Sequence, residues 1–116
     1  MCSSDLSTAI GTDSVAIGPV AVATGKNAVA LGKSSVATGV DALALGNGAT
    51  AVKAGDVALG AGSATAAPNT GVFDLTGGKT AASTVASVVS VGSGGVERQI
   101  QKIGRASCRE RVCLAV

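Results

Sequence analysis

The chain has 116 residues, a formal net charge of +2, a single aromatic residue, Phe73, and no histidine. Lack of histidine excludes Ser-His-Asp and Cys-His catalysis, His-ligated metals and the commonest general base. Through most of the first hundred residues the charges lie singly, with no basic stripe there for a phosphate backbone and no aromatic platform for bases, so nucleic acid is not expected as a partner, and no apolar run is long enough to span a membrane as a helix.

The opening Met1 to Leu6 resembles a translated sequencing adaptor, with a GTG codon read as the start. Met1 to Thr12 lacks the basic start and apolar core of a signal peptide, so an exported protein would carry its signal outside this stretch.

From Ser7 to Ala67 the chain beats in sevens. Alanine recurs at Ala9, Ala16, Ala23, Ala30, Ala37, Ala44, Ala51 and Ala58. Two places later stand Gly11, Gly18, Gly25, Gly32, Gly39, Gly46 and Gly60, with Lys53 as the exception. Before the alanines come Thr8, Val15, Val22, Val29, Val36, Leu43, Thr50 and Val57. The residue between alanine and glycine tends to alternate, Ile17, Thr24, Leu31, Thr38, Leu45, Val52, Leu59, which makes the full unit two unequal halves. A coiled coil would suffer about 1 kcal/mol for every such glycine, and more from the β-branched residues. Turn formers also punctuate the run at Thr12-Asp13, Lys26-Asn27, Lys33-Ser34, Asn47-Gly48 and Gly55-Asp56.

Between turns, Ser14-Val15-Ala16-Ile17-Gly18 alternates small and large, the period of a strand. The reading is therefore an all-β chain, a flattened parallel β-roll in which two half-repeats make one coil. Stacked coils set aliphatic ladders on one strand face and Ser/Ala/Gly ladders on the other. Each aliphatic side chain, if buried, contributes roughly 1.5–3 kcal/mol. The small face lets either another sheet or another chain approach closely, and the sequence leaves both open. Lys53, in place of a turn glycine, predicts a distorted corner.

Three alternatives within the repeats are weaker. Asp13, Asp41 and Asp56 could suggest calcium, but they are not spaced as ligands of one site and Asp favours turns for backbone reasons. Thr24 and Thr38 could form an ice-binding ladder, but Ile10 and Val52 break the row, and a β-branched residue simply suits a strand. Hexapeptide acyltransferases, the natural enzymatic alternative, have a period of six and depend on histidine. The chain has neither, and no enzyme activity, cofactor or metal is expected.

Residues 68–87, with Pro68-Asn69-Thr70 and Gly77-Gly78, leave the repeat and read as an irregular connector with a hairpin of Val72 to Thr76 and Thr80 to Val85. Gly77-Gly78-Lys79-Thr80 matches only the end of a phosphate loop, because Phe73 stands where the first glycine must be. Residues 88–102 read as a neck. Gly92, Gly94 and Gly95 allow a sharp turn, and Val96, Ile100 and Ile103 begin an apolar seam, so a helix is expected to start there. Residues 103–116 again resemble translated adaptor through Ile103 to Val112. With Cys2, Cys108 and Cys113 all in these ends, Ser7 to Gln101 contains no cysteine.

Asn27-Ala28-Val29-Ala30-Leu31-Gly32 and Asp13-Ser14-Val15-Ala16-Ile17-Gly18 resemble the head repeat of the trimeric autotransporter adhesins, the YadA-like family. Ser90-Val91-Gly92-Ser93-Gly94-Gly95-Val96-Glu97-Arg98-Gln99-Ile100 resembles that family's neck. The resemblance implies a left-handed roll, a homotrimer, an outer-membrane anchor further along, and attachment of a bacterium to host matrix, cells or surfaces from the cell surface. It also implies that Val96, Glu97, Arg98, Gln99 and Ile100 contact neighbouring chains. The competing reading is a structural β-solenoid spacer, as in a phage fibre or surface-layer protein.

Overall fold

The computed structural model describes residues 6–68 and 86–101. Each half-repeat becomes one short strand closed by a tight turn, and the halves alternate between two parallel sheets. The three-residue strands β2 (Val15–Ile17), β4 (Val29–Leu31), β6 (Leu43–Leu45) and β8 (Val57–Leu59) build one sheet, completed by β9 (Val89–Ser90). The two-residue strands β1 (Thr8–Ala9), β3 (Val22–Ala23), β5 (Val36–Ala37) and β7 (Thr50–Ala51) build the other. Register follows the fourteen-residue unit, placing Val15 on Val29, Val29 on Leu43 and Leu43 on Val57. The expected parallel β-solenoid is therefore present, with about four coils.

Between the sheets lies a core of methyl groups. Ala21, Ala23, Ala28, Ala30, Ala37, Ala44, Ala49, Ala51 and Ala58 are all completely buried. The Ser/Ala/Gly face therefore meets the other sheet of the same chain, which resolves the alternative that the sequence left open. The aliphatic residues are consequently turned outward rather than buried: Val15 is 42% exposed, Ile17 57% and Leu59 44%. The methyl core contributes about 0.8 kcal/mol per buried carbon, so much of the order rests on the repeated backbone ladders.

The turns share one plan. Ser14, Ala28, Ala42 and Asp56 donate their amides to the carbonyls of Gly11, Gly25, Gly39 and Lys53, and Ala21, Ser35, Ala49 and Ser63 do the same to Gly18, Gly32, Gly46 and Gly60. The third residue of each turn is left-handed, as at Asp13 (φ 58°), Asn27 (56°) and Asp41 (56°). The fourth turn of this series centres on Ala54–Gly55, with φ 71° at Gly55, so Asp56 follows the turn instead of forming it.

Two further expectations are corrected. The corner at Lys53 is not distorted: its turn hydrogen bond, 3.2 Å, equals that at Gly39. A Cβ at Gly39 would lie 2.0 Å from the Lys53 oxygen stacked next to it. Beyond Lys53, one coil on, Ala66 and Ala67 are exposed and form no turn, so a side chain at 53 meets no such carbonyl. No helix occurs among the described residues, and residues 96–101 carry no regular structure. Val96 and Ile100 are exposed, so no apolar packing offsets the cost of helix nucleation in this segment.

Ala64 and Thr65 still pair with Thr50 of β7, and the chain rejoins the other sheet at β9. Val89 pairs with Val57 thirty-two positions earlier, whereas β8 pairs with β6 at a spacing of fourteen. Eighteen extra residues therefore intervene. The expected hairpin of 72–85, the Gly77-Gly78-Lys79-Thr80 motif and both cysteine-bearing ends lie outside the described residues.

Candidate functional site

With its small side chains consumed inside, the roll offers its two outer faces, its turn edges and its ends for contact. On the sheet of three-residue strands, Val15, Val29, Leu43 and Val57 form one outward row, and Ile17, Leu31, Leu45 and Leu59 a second. Both rows are wholly aliphatic. Contiguous apolar surface of this kind marks an interaction site, where singly exposed apolar residues do not.

The other sheet differs in chemistry. Its rows are Thr8, Val22, Val36 and Thr50, then Ile10, Thr24, Thr38 and Val52. Hydroxyls interrupt the hydrocarbon here, and the Thr38 hydroxyl donates to the Val52 carbonyl. Along one edge the left-handed residues Asp13, Asn27 and Asp41 stack, and the Asn27 amide donates to the Asp41 carboxylate at 2.8 Å. These side chains serve turns. Asp56, grouped with them from sequence, is instead buried at the end of the roll.

The turn glycines fall into two sets. Gly18, Gly32, Gly46 and Gly60 have φ between 108° and 133°, which side chains rarely adopt. Gly11, Gly25 and Gly39 are required by proximity, since an added Cβ would come within 2.0 Å of a carbonyl oxygen in the next coil.

At the far end, β9 lies along β8 and brings the neck segment onto the last coil. The Asp56 carboxylate accepts the Val88 amide at 3.0 Å and the Lys53 amide at 3.2 Å. Desolvation pushes its pKa up. Hydrogen bonds from the Thr65 hydroxyl and from the Val88 and Lys53 amides, together with the Lys53 charge, outweigh that and hold it below the ordinary aspartate value. Arg98 reaches back to the Ser63 hydroxyl at 3.0 Å, the Val91 carbonyl at 2.9 Å and the Ala61 carbonyl. Of the other neck residues, Glu97 accepts the Gly95 amide, which lowers its pKa, and Gln99 accepts from Gln101. Val96 and Ile100 are 59% and 61% exposed.

Among the described residues no three His, Cys, Asp or Glu side chains gather as a metal site. The described residues present chiefly surfaces, with an open hollow between the last coil and the neck lined by Ala64, Val89, Gly92, Glu97 and Arg98.

A family model, the YadA head domain repeat, matches the chain in two copies, over residues 9–35 and 37–63. The first copy takes in β2 to β4 and the second β6 to β8. No curated protein matches the chain.

Proposed function

We propose, from the premise that residues 9–35 and 37–63 are head repeats of the YadA-like trimeric autotransporter family, that this chain is head and neck of a homotrimeric adhesin. In this reading it attaches a bacterium to host matrix, cells or other surfaces, and it is displayed at the outer membrane. The family is structural and adhesive, and it implies trimer formation.

One observation carries the reading: the outer face of the long-strand sheet is two uninterrupted aliphatic rows, while the corresponding face of the other sheet carries threonine. Three rolls that turn their aliphatic sheets toward a common axis would remove those rows from water. Their Thr/Val sheets and turn edges would face outward, available to a ligand. The exposed Val96 and Ile100 continue the apolar contact below the head. Arg98, whose donors are engaged within its own chain, contributes less to that contact than its position in the neck motif implies.

The test displays the chain, fused after Gln101 to a trimeric coiled coil and an outer-membrane anchor, on a non-adherent bacterium. Binding to immobilised matrix proteins and cultured cells, lost when the head is replaced by a coiled coil of equal length, supports adhesion. Trimer formation with no gain in attachment on any surface would favour the spacer reading.

A further inference from the structure

The roll has a regular hydrogen-bond ladder at each corner, and its last coil should leave both ladders open. At one corner the carbonyls of Pro19, Lys33 and Asn47 each accept an amide from the next turn, Ser34, Gly48 and Gly62 respectively. Ala61 is the next member of that series. The next turn among the described residues, Ser93–Val96, does not supply its amide, and the Ala61 carbonyl accepts the Arg98 guanidinium instead. Stacking repeats the substitution. A Cβ on Gly18, Gly32 or Gly46 would strike the backbone of the next turn at 2.5–2.7 Å, whereas one on Gly60 would meet the Arg98 guanidinium at 3.3 Å.

The opposite corner shows the complementary replacement. In each regular coil the amide entering a long strand, that of Ala28 or Ala42, is accepted by its own turn carbonyl. Val88 enters β9 at the equivalent position, and its amide is accepted by the Asp56 carboxylate. Asp56 occupies the site filled by Ser14, Ala28 and Ala42 in earlier coils.

We infer that Asp56 and Arg98 form a two-part end cap, in which a carboxylate accepts the amide that a turn carbonyl accepts in earlier coils and a guanidinium donates where turn amides donate. Together they let the returning segment 88–98 seal the alanine core without a fifth regular coil. Solenoids need such caps because an uncapped last repeat exposes core and strand edge. The guanidinium fork suits its corner because one planar group reaches three acceptors, Ala61, Ser63 and Val91. The cap acts within one chain, so it is independent of what the head binds, and it assigns Arg98 a role other than an inter-chain contact.

Hydrogen exchange on the full chain tests this. The end amides are Val57, which donates to Val88, and Ala64, which donates to Gly92; Val29 and Val36 report the middle of the roll. Arg98→Ala and Asp56→Asn should each speed exchange at the end amides by roughly tenfold or more, the low end of a lost charged hydrogen bond. The middle amides should stay near their original rates. Arg98→Lys, which keeps the charge without the fork, should give a smaller change at the same positions. Unchanged end amides in a folded variant would overturn the cap. So would equal loss at middle and end in Arg98→Ala and Arg98→Lys alike. A change in sedimentation without any change in end exchange would return Arg98 to an inter-chain role and also overturn it.

Discussion

Gly32 has φ 133°, and a Cβ there would lie 2.6 Å from the backbone of Gly46. Both strain and collision oppose any side chain, so Gly32→Val should cost at least ~3 kcal/mol. The neighbouring Lys33→Ala should change stability by less than ~0.5 kcal/mol, because Lys33 is exposed. Equal shifts in thermal melting would contradict this geometry. Lys53 gives the reciprocal test: Gly39→Lys should destabilise strongly, while Lys53→Gly should have little effect, both read from melting curves. Val20 is the opposite case, a β-branched residue with φ 58° after Pro19. The Pro19-Val20 pair has a type II turn pattern, whose third position prefers Gly or Asn. Val20→Asn should therefore raise stability by about 1 kcal/mol. A fall in melting temperature would show that the Val20 side chain contributes a contact that outweighs the strain.

At the scale of strands, the sequence carried the architecture because every coil repeats the same turn spacing. Fourteen-residue register could be read from Ala9 to Ala58 without any structure. What escaped was the ending. Lys53 and Asp56 are two departures from the repeat within four residues, and each reads alone as an imperfect turn. Taken together they mark where the ladder stops, since Lys53 needs no stacking partner and Asp56 accepts the incoming Val88. The partner strand could not be located, because a return after eighteen extra residues leaves no periodic trace. Among the described residues the expected neck helix does not form, for a related reason: apolar spacing at Val96 and Ile100 describes a seam, and one chain supplies only its own share of it. The Asp56 carboxylate also makes the docking of β9 acid-sensitive. Its folded pKa lies below the unfolded value, so its contribution is complete above the ordinary aspartate range near 4 and is lost as pH falls through the folded value. Exchange at the Val57 amide, corrected for intrinsic rate, should therefore accelerate below about pH 4 relative to Val29. Asp56→Asn should remove that dependence, and its persistence would assign the effect to another group.

At the scale of the whole molecule, the alternation between Ile17, Leu31, Leu45, Leu59 and Ile10, Thr24, Thr38, Val52 takes on a physical meaning. The two sheets have the same alanine interior, so the difference between the rows cannot serve the core. It reflects what lies outside each sheet. A lone roll would gain nothing by keeping leucine on a wetted face, because threonine fills the equivalent backbone position on the other sheet and suits a strand equally well. Covering the aliphatic rows in a trimer would contribute about 1 kcal/mol for each partly exposed residue, roughly half of full burial. That is significant for a domain whose interior is only methyl groups, and small domains are marginal to begin with. Residues 7–101 alone should therefore fail to persist as a folded monomer at micromolar concentration. Fusion to a trimeric coiled coil after Gln101 should restore a stable trimer. Within that fusion, Ile17→Thr, Leu31→Thr and Leu45→Thr together should leave the coiled coil trimeric while lowering the melting temperature of the head. The corresponding change on the other sheet, Val22→Thr with Val36→Thr and Val52→Thr, should have a much smaller effect. Sedimentation and melting of the four proteins decide the matter. Equal melting of the two threonine variants would remove the long-strand sheet as the assembly face, and a stable unfused monomer would remove the trimer itself.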